Sequence, residues 1–180
     1  NPYKLIIVDE FQDISQARAR LVLALLQQRP EAKLFCVGDD WQAIYRFAGS
    51  DISVFTHFER VFGFTKKQYL TKTFRSNQGI ANAASVFIQK NPSQLKKQVI
   101  AIDKKTEKVI EVNYCKNAKE QSDALAKILL SINEQAQGKK LSVFILGRYR
   151  HLNPDFLNTL SPLLPQCSVT FKTMHASKGL

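Results

Sequence analysis

The first hydrophobic run of the chain ends in two acidic side chains. Residues 5–8 are four consecutive apolar residues, three of them β-branched, and this run predicts a strand buried on both faces of a parallel sheet. Asp9 and Glu10 follow at the carboxyl end of that strand, the edge where open α/β sheets bind ligands. Since unpaired carboxylates are costly to bury, we expect a metal ion, a cation or water to meet them. Taken alone, the pair favours a solvated strand end in front of a helix.

The rest of the chain alternates between short apolar runs and helical periodicity. Further strands are predicted at residues 33–37, 68–71, 109–114, 141–146 and 167–173. Helices are predicted at residues 16–29, 51–62, 78–90, 118–137 and 153–164. This alternation predicts an α/β fold in which right-handed crossovers build parallel sheets. The segment Asn91-Pro92-Ser93 marks the expected domain boundary, which divides the chain into residues 1–91 and 92–180.

Composition adds a charge signal to this pattern. The 180 residues contain 26 Lys and Arg against 15 Asp and Glu, a net charge of +11, which favours a polyanionic partner, nucleic acid before a membrane surface. The three cysteines have no metal-ligand spacing, which fits free thiols in a reducing compartment and a cytoplasmic location. No signal peptide and no apolar run of membrane-spanning length occurs in the sequence.

A second polar cluster follows the second predicted strand, at residues 37–49. Gln42 is suited to donate to a phosphate or to orient a water molecule. Three aromatic residues, Trp41, Tyr45 and Phe47, lie in the same loop, and aromatic faces in a basic protein stack on unpaired bases. Each aromatic residue, considered alone, equally fits ordinary core packing, so this cluster leaves both interpretations open.

Two further clusters follow later strands. Arg75 stands between a predicted strand and a helix cap, where its guanidinium group could reach a phosphate across the sheet edge. The last strand runs into residues 173–180, which combine hydroxyl, imidazole and ammonium groups with flexible backbone, a set suited to phosphodiesters or a triphosphate. His175 is not expected to bind a metal, because no second His or Cys is near it in the sequence.

Taken in order, the four clusters resemble a known set of motifs. The segments DE-F-QD, VGDDWQAIYRF-G, T-FRSN and TMHASKGL are similar to motifs II, III, IV and V of superfamily I DNA helicases of the UvrD/Rep type. The F-A-G-S-D ending of the second segment resembles the helicase IV branch. The resemblance covers residues 5–180 and implies RecA-like parallel sheets of the P-loop NTPase type, incomplete at both ends. It also implies ATP and Mg²⁺ as cofactors, and 3′ to 5′ translocation on single-stranded DNA with unwinding at duplex junctions.

The resemblance assigns roles position by position. The implied ATP-hydrolysis residues are Asp9 as the Mg²⁺ ligand, Glu10 as catalytic base and a second metal-side acid, Gln42 as γ-phosphate sensor, and Arg75 as the arginine that reaches the γ-phosphate. The implied nucleotide-side residues are Gln12, Asp13 and Gly179. The implied DNA contacts are Tyr45, Phe47, Arg148, Thr173 and His175.

Several family features are absent from the sequence. It contains no G-x-x-x-x-G-K-[ST] phosphate loop and no motif VI arginine, and we therefore expect a piece of a longer protein, inactive as an ATPase by itself. The short span between Arg75 and Thr173 predicts that the family's accessory domain is absent. Ala48-Gly49-Ser50 replaces the usual Arg-Gly-Ala, which removes one basic contact. A missing neighbouring strand would leave the edge at residues 5–8 open, and we expect a second copy of the chain to cover it.

Two other functions fit parts of the sequence. A non-enzymatic nucleic-acid-binding α/β module would explain the positive charge and the aromatic residues. A nucleotide switch or scaffold domain would explain the acids at the strand ends without any contact to a nucleic acid strand. A phosphate loop elsewhere in the same gene product would favour the helicase over both.

Overall fold

The protein is described here from a computed structural model, which describes residues 2–179. The chain forms two compact units, the N-terminal one ending at Ile110 and the C-terminal one beginning at Glu111. The N-terminal unit contains, in chain order, β1 (Leu5–Val8), α1 (Gln16–Gln27), β2 (Lys33–Cys36), α2 (Ile52–Thr56), α3 (Phe58–Phe62), β3 (Lys72–Thr73), α4 (Gln78–Ile88) and β4 (Ile100–Ala101). The C-terminal unit contains α5 (Ala118–Gln135), β5 (Leu141–Gly147), α6 (Leu157–Leu160) and β6 (Cys167–Thr173).

Strands β1 and β2 are parallel neighbours, paired from Leu5 opposite Lys33 to Val8 opposite Cys36. The prediction that β1 is buried on both faces is wrong: Leu5 and Ile7 keep 52% and 64% of their surface exposed, while the alternate residues are half-buried. In the described residues this sheet has two strands. Exposed and half-buried residues alternate along both of them, which indicates that only one face of the sheet is packed. Whether a second copy of the chain covers the sheet edge at residues 5–8 stays a prediction.

The core beside this sheet is built around Phe11. Phe11 is 1% exposed, and its ring centroid lies 5.3 Å from that of Phe58 and 5.8 Å from that of Phe62. Ile14, Ala19 and Val54 are the other buried apolar residues of this cluster. Helix α1 starts where the sequence predicts, because the Ser15 hydroxyl accepts a hydrogen bond from the Arg18 N–H at 3.3 Å. The core therefore packs against the turn that follows β1.

The predicted helix at residues 51–62 is two short helices. Asp51 caps α2 by accepting from the Ser53 N–H at 2.9 Å, as predicted, but His57 has φ −110° and ψ 38°, outside the helical region. The break turns the chain, so that Phe55 on α2 and both phenylalanines of α3 contact Phe11. Tertiary packing around one buried ring thus overrides local helical periodicity.

Residues 92–110 pack with the N-terminal unit. Strand β3 is short, lies later than the predicted strand at residues 68–71, and pairs in parallel with β4. The strand predicted at residues 109–114 does not form; Lys108 takes a left-handed φ of 51°, and Val112 and Tyr114 are exposed. Within the described residues, this segment has no neighbouring strand with which to pair, so it does not form a ladder.

The C-terminal unit is organised by one strand pair. β5 and β6 are parallel and in register from Leu141 opposite Cys167 to Gly147 opposite Thr173. Helix α5 begins at the Asn117 cap, whose side chain accepts from the Glu120 N–H at 2.9 Å, and contributes the fully buried Leu129. The predicted helix at residues 153–164 is reduced to α6 and flanking turns. No helix within residues 2–179 combines the length and apolarity that crossing a bilayer requires.

Candidate active site at the strand tips

The chain turns sharply at the end of β1. Glu10 has φ 50° and ψ 41°, a left-handed conformation that is uncommon for any residue other than glycine, and its N–H donates to Asp9 Oδ1 at 2.8 Å. This turn sends Phe11 into the core and leaves the carboxylates of Asp9 and Glu10 exposed. Strained conformations of this kind are concentrated at functional sites.

Gln12 joins the tips of the two strands. Its side chain is fully buried; Nε2 donates to Glu10 Oε2 at 2.5 Å, and Oε1 accepts from the Asp39 N–H at 2.9 Å. Both ends of the amide are therefore satisfied, one by the catalytic-base candidate after β1 and the other by the backbone after β2. Asp13, which ends the same turn, is half-buried and donates its N–H to Glu10 O at 2.9 Å.

Gly38 makes room for this link. A Cβ atom at position 38 would lie 2.7 Å from Gln12 Oε1, 2.7 Å from Phe55 Cε2 and 3.2 Å from the Gln12 backbone nitrogen. The last contact involves main chain, which cannot move aside as a flexible side chain can. Glycine is required here because of close packing, since Gly38 is not among the glycines with a left-handed φ.

The tip of β2 is held by a lysine distant in sequence. Asp39 accepts from the Trp41 N–H at 3.1 Å, from Gln42 Nε2 at 2.8 Å and from Lys97 Nζ. Asp40 is 1% exposed and accepts from Lys97 Nζ at 2.8 Å and from the Leu95 N–H at 2.7 Å. Burial would raise the pKa of Asp39, but hydrogen bonds from Lys97 and Gln42 and the lysine charge outweigh it and lower the pKa below its ordinary value.

The aromatic pair of the same loop is open on one side. Tyr45 is half-buried, whereas Phe47 keeps 74% of its surface exposed, and their ring centroids are 6.0 Å apart. Ordinary core packing, one of the two interpretations left open by the sequence, does not apply to Phe47. Gly49, at φ 88°, ends the turn that presents this ring.

Arg75 is exposed just beyond β3, in the same unit as the acids. Its N–H donates to Thr73 Oγ1 at 3.4 Å, and the next helix begins at Asn77, which accepts from the Ile80 N–H at 3.0 Å. The network that joins Glu10 to the tip of β2 does not include Arg75.

Three of the remaining predicted residues meet at one end of the β5–β6 pair. Arg148 directly follows β5, and its guanidinium carbon lies 5.6 Å from the Tyr149 ring centroid. Thr173 ends β6 opposite Gly147, and His175 is exposed in the next turn. Gly179 closes this segment at φ 88°.

Comparisons with known proteins decide the family. Residues 1–63 match the UvrD/REP helicase N-terminal domain. Over 182 aligned residues the chain is 41% identical to DNA helicase IV of Escherichia coli (strain K12), which covers 99% of this chain and 25% of that protein. The chain belongs to the UvrD/Rep helicase family.

Other relatives carry similar names. The chain is 36% identical over 99 residues to the putative ATP-dependent DNA helicase YjcD of Bacillus subtilis (strain 168), which covers 55% of this chain and 13% of that protein. It is 30% identical over 142 residues to the ATP-dependent DNA helicase PcrA of Staphylococcus epidermidis (strain RP62A), which covers 79% of this chain and 19% of that protein. The chain spans about a quarter or less of the length of these three relatives.

In this UvrD/Rep-family chain, Asp9 and Glu10 provide the number of carboxylates that a Mg²⁺ ion usually binds. Mg²⁺ is usually held by one or two carboxylates together with phosphate oxygens and water, so the adjacent, exposed Asp9 and Glu10 fit that role. Within residues 2–179, no group of three or more His, Cys, Asp or Glu is placed to form an all-protein metal site. Two carboxylates could hold such an ion only together with phosphate or water oxygens.

Sequence reasoning missed that Lys97 contacts the two acids at the tip of β2. The residue is 57 positions from Asp40, and its sequence context is a basic stretch like any other. Tyr149 and His151, whose rings stack 5.4 Å apart beside Arg148, were missed for a similar reason. The Lys97 contact depends on packing between distant segments, and the Tyr149–His151 stack depends on the conformation of one turn. The spacing of residues in the sequence predicts neither contact.

Proposed function

We propose that this chain is part of an ATP-dependent DNA helicase that couples ATP hydrolysis to 3′ to 5′ translocation on single-stranded DNA and to unwinding at duplex junctions. In this proposal the N-terminal unit belongs to the first RecA-like motor domain and the C-terminal unit to the second, with no large accessory domain between them. The observation that carries the proposal is the buried amide of Gln12, which fixes Glu10 at one strand tip and the backbone of Asp39 at the next.

Glu10 is suited to be the base. Its carboxylate is exposed, so a water molecule can approach it, while the Gln12 amide holds one of its oxygens at 2.5 Å. A base held in one orientation takes a proton from an attacking water without first reorganising. Asp9 would hold Mg²⁺, which when bound neutralises charge on the phosphate oxygens. Asp13 and Gly179 remain proposed nucleotide-side residues. The direct nucleotide contact expected of Gln12 does not fit its buried amide, which is bonded at both ends, so Gln12 would act on the nucleotide through Glu10.

Gln42 and Arg75 are the proposed γ-phosphate contacts. Gln42 is exposed, and its Nε2 donates to Asp39 Oδ2, so its carbonyl oxygen is directed by an anchored amide. An amide orients water without the charge repulsion that a carboxylate would bring near phosphate. Arg75, exposed beyond β3, supplies a permanent positive charge.

Single-stranded DNA is the proposed track. The exposed Phe47 ring, with Tyr45 beside it, offers a surface for base stacking, and the net charge of +11 favours a polyanion. Arg148, Thr173 and His175 share one end of the C-terminal strand pair, where they would contact the sugar-phosphate backbone.

ATP hydrolysis by the complete gene product tests the proposal. We expect Glu10→Gln to lower the DNA-stimulated hydrolysis rate by about 10²-fold to 10⁴-fold, the range of a general base, while single-stranded DNA binding stays intact. Glu59→Gln is the matched control, because Glu59 lies on the surface of α3 and pairs with the exposed Lys67 at 3.3 Å. Unchanged hydrolysis in Glu10→Gln would refute the assignment.

The same measurements address the second candidate, a non-enzymatic nucleic-acid-binding module. The exposed Phe47 ring supports that function equally well. A complete gene product that binds single-stranded DNA but shows no magnesium-dependent ATP hydrolysis would favour this candidate.

A further inference from the structure

The segment after α4 contacts the tip of β2 through Leu95 and Lys97. The Leu95 N–H donates to Asp40 Oδ2 at 2.7 Å, and the Leu95 carbonyl accepts from Trp41 Nε1 at 3.1 Å. Lys97 Nζ donates to carboxylate oxygens of both Asp39 and Asp40 and lies 4.8 Å from the Trp41 ring centroid. A segment outside the four motifs thus holds the loop that presents Gln42.

The two carboxylates differ in what else supports them. Asp40 is almost fully buried and is also bonded to the Leu95 N–H, so its orientation does not depend on Lys97 alone. The Asp39 side chain is 38% exposed, and its other partners are residues of its own turn. Two adjacent carboxylates repel each other, and the ammonium group between them is what keeps Asp39 facing inward.

Gln42 depends on Asp39 in turn. Among the described residues, the one hydrogen bond of the Gln42 side chain is its donation to Asp39 Oδ2 at 2.8 Å. If Asp39 rotates toward solvent, the exposed Gln42 amide loses its anchor and samples several rotamers. A small displacement of a positioned group is enough to slow a reaction by an order of magnitude or more.

We propose that Lys97 is a positioning residue for ATP hydrolysis, which holds Gln42 in its working orientation through Asp39. The inference rests on the proposed function of Gln42. It differs from a purely structural role, in which Lys97 only neutralises the buried Asp40 and supports folding.

The test is a double-mutant cycle in the complete gene product, with ATP hydrolysis measured in the presence of oligo-dT and melting temperature measured alongside. We expect Lys97→Met to lower kcat about tenfold with a much smaller change in KM for ATP. In a Gln42→Ala background the same substitution should lower kcat less than about twofold, because the residue that it positions is gone. The loss of melting temperature should be similar in both backgrounds.

Two further variants separate positioning from folding. Lys97→Arg keeps a cation between the carboxylates and should restore most of kcat. Asp39→Ala removes the Gln42 anchor while keeping the Lys97–Asp40 ion pair, so it should reproduce the kinetic loss with a smaller loss of stability; it decides the question if Lys97→Met does not fold. Lys96→Met is the matched control, because Lys96 is exposed and adjacent to Lys97 in the chain. This variant should hydrolyse ATP at the normal rate.

The outcomes distinguish the two claims. If Lys97→Met lowers kcat by the same factor with and without Gln42, or if folded Lys97→Met keeps normal kcat, the inference is overturned while the proposed function stands. If Gln42→Ala alone leaves hydrolysis unchanged, the proposed role of Gln42 fails and this inference fails with it.

Discussion

The strand pairs β1–β2 and β5–β6 both carry polar residues at their carboxyl ends, but they hold those residues differently. β1 and β2 pair over four residues, and the buried side chain of Gln12 joins their tips. β5 and β6 pair over seven residues, and the Met174 N–H continues the backbone pairing by donating to Gly147 O at 3.0 Å. A side-chain contact added there is local: the Thr173 hydroxyl Oγ1 accepts from the Ala176 N–H at 3.2 Å.

The difference separates two ways of building a site. At the first pair, side chains from distant positions set the geometry, so a single substitution disturbs both folding and chemistry. At the second pair the backbone carries the geometry, and exposed side chains such as Arg148 and His175 are attached to a frame that does not need them. Stability and function should therefore be coupled at the tips of β1 and β2 and separable at the end of the β5–β6 pair.

The largest effect on stability should come from Gln12→Leu. The change leaves the Asp39 N–H without its acceptor and removes the donor to Glu10, so we expect a loss of about 2 to 4 kcal/mol in the free energy of unfolding, measured with urea. Thr173→Val in the other strand pair removes one local hydrogen bond and should cost about 1 kcal/mol. Equal losses in the two variants would erase the distinction between the pairs.

Gly38→Ala compared with Gly147→Ala should give the next largest difference. At position 38 the new methyl group meets the Gln12 backbone nitrogen and two side-chain atoms at 2.7 Å, so we expect a loss of about 1 to 3 kcal/mol. At position 147 the close atoms, at 2.8 and 2.9 Å, belong to the end of the half-buried Phe171 ring, which can rotate away. Thermal unfolding of both variants checks this order, and a larger loss at position 147 would contradict it.

Phe47→Ala should weaken DNA binding with little effect on folding. Loss of one stacking ring is worth about 1 to 3 kcal/mol, so affinity for fluorescent oligo-dT should fall by about tenfold while the melting temperature stays the same. Phe87→Ala is the matched control, because Phe87 on α4 is 75% exposed, almost the same as Phe47 at 74%. Similar losses of affinity in both variants would mean that Phe47 has no special role.

The smallest effect is acid sensitivity at Asp39. The pKa of Asp39 in the folded protein lies below its ordinary 3.8, so the Asp39–Lys97 contact contributes fully at neutral pH, and its contribution is lost as the pH falls through 3.8 and then through the folded pKa. Solvent exposure of Asp39 keeps the effect small. NMR titration should show that Lys97→Met raises the pKa of Asp39. The pKa of Asp51, which hydrogen bonds from Ser53 and Gln16 lower, should not change in this variant.

Local signals in the sequence predicted a substantial part of this fold. Strand β6 lies where predicted, and α1, α4 and α5 start where predicted, directly after the N-cap residues Ser15, Asn77 and Asn117. Capping and strand propensity act over a few residues, so a linear pattern contains them.

The errors arose where distant packing decided the outcome. The helix break at His57 depends on Phe11, more than 40 residues earlier. The clamp of Lys97 on Asp39 and Asp40 joins residues 57 and 58 positions apart. At the site, the residue types at the strand ends were identified from the sequence, but the lysine that organises one of them was not.

Glu10 adopts a backbone conformation that asparagine or glycine would tolerate more readily. A screen for more stable variants would therefore tend to replace the one residue proposed as the base, and consensus-style stabilisation of this loop would produce a well-folded, inactive protein. At position 10, selection for stability would favour glycine or asparagine, whereas selection for hydrolysis would favour glutamate. A comparison of variants selected for each property alone would measure how far apart the two requirements lie.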